Sequence, residues 1–317
     1  IETRERTTAE SASAALGALI AASIVFGSIL LALRNIKKGR GDLAGAFRVG
    51  IYLLLMNQIG WVVRAHHVGD LYQEGYLLVR SVAFNLFFSC IVWLLYVSLE
   101  PYLRRRWPEG IISWSRLLAG HFRDPLVGRD LLIGASFGIL LGVLVRGSSW
   151  LSDLLGGTPS IPGTADVASL LGPANGFANL LDQLFSAVLG GLGFIFLLFL
   201  MRLILRKDWL ALAAVFGFAV FQNVISARGL TESLIAAVII MAMAWCLVVF
   251  LMLRFGLLSG MAGLFTANFF LSTPLTADLS VWYSGAMLFS VSVVLILAGY
   301  GFAISIDRKK FAIGDLD

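Results

Sequence analysis

Residues 99–130, LEPYLRRRWPEGIISWSRLLAGHFRDPLVGRD, hold six arginines, four carboxylates, two tryptophans and one histidine in a chain that is otherwise largely apolar. Arginine beside carboxylate and histidine is the material of phosphate recognition and of proton transfer. Catalysis would need a nucleophile–base pair, and none is evident in this stretch, so no catalytic residue is assigned. Arg104, Arg105, Arg106 and Trp107 suit anionic lipid headgroups, at about 1 kcal/mol of attraction per basic residue. Arg116, Arg123–Asp124 and Arg129–Asp130 mix opposite charges, which suits a folded turn better than a floppy tether. Three readings stand: a solvated loop, an ordered coupling element, or a reactive surface.

Other polar residues fall inside apolar runs. Asn57, Gln58, Asn85, Gln222, Asn223 and Asn268 are neutral amides, fit to glue helices together or to line a pocket for a polar substrate. Ion-coupled transport usually needs an ionisable group near mid-membrane. All seven glutamates lie in loops or at segment edges, and Asp182 is the one carboxylate near a segment's body. His66 and His67 are adjacent, about 100° apart on a helix, a poor arrangement for one metal. They read as an interfacial polar pair or a pH-sensitive outer surface. No phosphate-binding glycine loop or kinase catalytic motif is present, and no metal or cofactor is expected. Cys90 and Cys246 are expected to pack as buried small hydrophobes.

The elements that carry these residues follow from composition. Hydrophobic residues make up 59% and charged residues 14%, with mean hydropathy +0.88; soluble domains carry about 25% charge. Crossing a bilayer takes roughly 20 apolar residues, and the chain offers spans near 12–33, 47–63, 77–99, 131–147, 179–204, 209–226, 233–254, 256–273 and 281–305. An all-α, polytopic membrane protein of about nine transmembrane helices is expected. Cytoplasmic loops are enriched in Lys and Arg. With the N-terminus outside and the C-terminus cytoplasmic, 18 of the 24 basic residues fall inside. The pI of 9.4 then reflects orientation and anionic lipid, not nucleic acid.

The expected organisation is an extracytoplasmic end (1–11), a membrane domain (12–306) and a cytoplasmic tail (307–317). Within the domain lie a cytoplasmic loop, 100–130, and an outer loop, 147–178, expected to fold back on the surface or stay mobile. Ile111, Trp114, Leu117 and Leu118 recur at helical spacing, predicting a short amphipathic helix, with Pro108 in its first turn, Gly120 at its end and its tryptophan at headgroup depth. Gly134, Gly138 and Gly142, and likewise Gly256 and Gly260, are spaced four apart, which lets helix backbones approach closely. They serve packing within the bundle or a homodimer seam.

The strings LEPYLRRRWPEGIISWSRLLAGHFRDPLVGRDLL (99–132), LRNIKKGRGDLAGAFRVG (33–50) and RAHHVGDLYQEG (64–75) resemble the C-terminal multi-pass membrane region of bacterial, acidobacterial-type, eukaryotic-like serine/threonine protein kinases. The resemblance implies a cytoplasmic kinase domain in the same parent chain, placement in the bacterial inner membrane, and a fragment whose upstream part is missing. It also implies an anchoring and sensory role. The kinase's own catalytic residues do not occur in this sequence. From another class, a small-solute or lipid transporter with an amide-lined pocket is the alternative.

Overall fold

A computed structural model describes residues 8–147, 151, 154, 170–227, 234–276 and 278–306, which form helices and no strands. The helices are α1 (Thr8–Lys37), α2 (Leu43–Arg64), α3 (Leu71–Arg106), α4 (Pro108–Leu118), α5 (Pro125–Arg146), α6 (Pro173–Leu205), α7 (Asp208–Ala227), α8 (Leu234–Phe255), α9 (Leu257–Leu271) and α10 (Ser284–Ser305). Seven are long and apolar enough to cross a membrane, and two shorter apolar helices, Asp208–Gln222 and Leu257–Leu271, accompany them.

Several helices outrun their expected limits, α3 the most. α3 was expected over 77–99 but runs for 36 residues, about 54 Å, well beyond the roughly 30 Å hydrocarbon core. Asp70 caps its start by accepting from the Gln73 N–H at 2.9 Å, and Pro101 sits inside it without ending it. α6 starts at Pro173, six residues before the expected 179, after Gly172 turns the chain at φ 131°. Most of the outer loop, the first seven residues and the tail lie outside the described residues.

The bundle is built around α5. A Cβ on Gly134 would lie 2.5 Å from the Ala262 Cβ, and one on Gly138 would lie 2.5 Å from the Thr266 Cβ and 2.6 Å from the Gly263 carbonyl. Gly142 faces the Phe270 ring in the same way. The register rises together on both helices, so α5 and α9 run parallel at backbone contact. Within a bilayer, where apolar burial gives no net drive, such close van der Waals packing holds helices together. On another side of α5, Gly128 meets Gly301 and the Ser305 backbone, bringing in α10 antiparallel.

The second glycine pair turns the chain. Gly256 has φ 106° and joins α8 to α9 by a single residue, a conformation that penalises any Cβ. Its partner Gly260 leaves the space that Met252 of α8 fills. Both glycine lines are covered within the chain. α4 has the expected bounds, with Gly120 at φ 87° just beyond it. Ile111 and Trp114 are buried in the main core, Trp114 at 4% exposure, so this tryptophan packs against protein. Cys90 and Cys246 differ from expectation, lying exposed on the bundle's surface within apolar helices.

Candidate functional site

One end of the bundle gathers the strings that stand apart in sequence. α1 ends in two glycine turns, Gly39 at φ 61° and Gly41 at φ 113°, and Asp42 then caps α2 by accepting from the Gly45 N–H at 2.8 Å. This turn docks on α3 at Pro101. Proline has no N–H to give the carbonyl four residues back, so Val97 would lose its helical partner. The Asn35 amide takes that place, donating to Val97 O at 3.0 Å and Ser98 O at 3.2 Å.

Next to this contact is a buried carboxylate. Glu100 is 4% exposed, accepts from the Asp42 N–H at 3.2 Å and pairs with Arg104 at 2.6 Å. The Tyr96 hydroxyl, buried in the same place, donates to Asp42 at 3.4 Å. Arg104 is thereby committed to Glu100, while Arg105 and Arg106 are exposed and have no acid partner among the described residues. Arg106 and Trp107 line a cavity of about 360 Å³ with Tyr102, Arg202 and Trp209. Arg202 is held by Asp208 at 2.6 Å and by the Tyr102 hydroxyl at 2.9 Å.

α4 and the turn after it extend the platform. The Trp107 ring lies over Gly110, and the Gly110 backbone sits against Gly256, joining α4 to the α8–α9 turn. Arg48 of α2 donates to Leu118 O at 3.2 Å, Arg116 pairs with Asp124 at 2.6 Å, and the Tyr300 hydroxyl of α10 donates to Phe122 O at 2.7 Å. Asp124 also caps α5 through the Leu126 N–H. Asp130 is 2% exposed and is bridged by its neighbour Arg129 at 2.8 Å, whereas Arg123 is exposed. The mixed charges of 99–130 are thus an ordered surface. Asn35, Asp42 and Glu100 carry it too, and the Pro101 defect was the sequence signal that a partner such as Asn35 was required.

The six amides do not share one pocket. Gln58 accepts from Asn85 at 3.0 Å and from Ser81 at 3.2 Å, and Asn57 and Asn85 line a groove between α2, α3 and α6. Gln222 bonds Ser13 of α1 and lies over Gly17. Asn268 is half-buried on α9, and the side chain of Asn223 lies outside the described residues.

At the end opposite the platform, the 64–75 turn is organised by His67. Its Nδ1 lies 2.6 Å from a Glu74 oxygen and its Nε2 lies 2.8 Å from Val62 O. Only the imidazolium donates from both nitrogens. The Val62 carbonyl, and then Glu74, raise its pKa above the ordinary 6.5. Because the folded value is raised, this contribution is full below the ordinary value and is lost as pH rises through the raised one. Hydrogen exchange across 64–75, corrected for intrinsic rates, is expected to show protection falling over that interval. His67→Gln should abolish the step.

A bundle of apolar helices carrying an ordered, arginine-rich platform at one end defines an all-α, multi-pass membrane protein. Compared with protein-family models, with curated proteins and with solved structures, the chain matches none.

Proposed function

We propose that this chain is the multi-pass membrane module of a receptor-like serine/threonine protein kinase of the bacterial inner membrane. It crosses nine times, the seven long helices and the two shorter ones alternating in direction, with the N-terminus outside and the platform in the cytoplasm. The observation that carries the reading is the joining of 33–50 to 99–130 through Asn35, Asp42, Glu100 and Arg48. Two of the three strings that resemble the kinase family thereby form one stiff surface. Such a surface can transmit a shift of the outer helix ends to a cytoplasmic domain, and its free arginines suit anionic headgroups.

The test begins at the gene. An in-frame kinase domain upstream of the Ile1 codon supports the reading, and a start codon immediately before Ile1 overturns it. Given such a kinase, Arg116→Gln with Asp124→Asn should alter autophosphorylation while leaving membrane insertion intact. Cysteines introduced at His67 and Arg123 report orientation: an impermeant thiol reagent added to intact cells should label the first and spare the second.

A further inference from the structure

We propose that the groove between α2, α3 and α6, at the end opposite the platform, binds an amphiphilic organic anion: a carboxylate or phosphate ester on an apolar tail. The inference rests on the groove's own chemistry and does not use the kinase reading.

The groove has a volume of about 560 Å³, and both Arg64 and Arg80 line it. Arg64 pairs with Asp182 at 2.6 Å. Arg80 has no acid partner among the described residues, so the groove carries one uncompensated cation. Arg80 is exposed near the outer end of α3, where an arginine with no acid beside it attracts anionic groups. Arg80 stands nine positions after Leu71, the first residue of α3, which places it about 13 Å along the helix.

The rest of the groove is also suited to such a ligand. Trp61, Phe84 and Phe185 give it apolar walls for a tail. On the polar side, the oxygen of Gln58 is already used by two groove residues, Ser81 and Asn85. A guanidinium in want of an acceptor, beside aromatic walls, calls for a ligand with an anionic, acceptor-rich head.

The experiment is calorimetric titration of the chain, held in nanodiscs of zwitterionic phospholipid, with decanoate. A saturable one-to-one component is expected, absent with decyltrimethylammonium. Arg80 is exposed, so Arg80→Gln should leave the helical circular dichroism unchanged and weaken the component by about tenfold or more, the scale of one lost charge-assisted bond. Adding phosphatidylglycerol to the nanodiscs separates two sources of the ligand. Suppression of the decanoate component means that the bilayer supplies the anion, and persistence means that it comes from solution. No saturable component in the wild type, or the same component in Arg80→Gln or with the cationic amphiphile, overturns the proposal.

Discussion

Gly138→Leu is expected to abolish the folded bundle, and Gly138→Ala to destabilise it by about 2–3 kcal/mol, near the upper range for overpacking. The first atom of any side chain here would meet the Thr266 Cβ at 2.5 Å and the Gly263 carbonyl at 2.6 Å. The second of these is backbone and cannot swing aside, so α9 must move away as a whole. That motion also opens the contacts at Gly134 and Gly142, because the three lie on one line. Gly193 is the control. It is a helix-interior glycine with no atom within 4 Å of its would-be Cβ, so alanine there should gain up to about 1 kcal/mol from helix propensity. Denaturation in mixed dodecyl sulfate and neutral-detergent micelles, followed by circular dichroism, measures both. Equal effects at the two positions would mean that the α5–α9 contact is not the bundle's centre.

Asn35→Leu is expected to cost about 1–3 kcal/mol, the penalty for a carbonyl left without a partner, and Pro101→Ala should restore most of it. The proline withholds an N–H from Val97 O, and Asn35 supplies the substitute. Alanine at 101 gives the helix its own donor, so the amide is no longer needed. The double-mutant cycle should therefore show coupling of about 1–2 kcal/mol, within the range for residues sharing a partner. Additive losses would show that Asn35 acts elsewhere. The same denaturation assay reads all four corners of the cycle.

The helices were legible in the sequence because hydrocarbon tolerates so few alternatives: each of the nine apolar runs lies within a helix, or overlaps one, among the described residues. The limits of α3 were not legible. Its flanks, 71–76 and 100–106, are polar, and hydropathy cannot separate a helix that continues into water from a loop. The spacing of Gly134, Gly138 and Gly142 announced a close helix contact but not its partner, since any smooth face would serve. Gly128 and Gly301, neither with a glycine four residues away, carried no periodic signal. The amides left two readings open. Their common chemistry allowed a common pocket as well as helix cross-links, yet among the described residues Asn57, Gln58 and Asn85 fall together while Gln222 and Asn268 lie elsewhere. Arg80 is one of the six basic residues left on the outer side, and what sets it apart is that Asp182, the acid in the same groove, is paired with Arg64.

The α5–α9 register also bears on how the protein is made. Gly134 and Ala262 are 128 positions apart, as are Gly138 and Thr266, and Gly142 and Phe270. At a synthesis rate of roughly 5–20 residues per second, the ribosome needs about 6–26 s to supply the partner of a helix already emerged. During that interval the glycine face of α5 sits in the bilayer uncovered. The insertion machinery must shield it until the α8–α9 hairpin enters. A chain stopped before residue 257 would contain most of its membrane helices and lack its central pair, an exposed surface that quality control can detect.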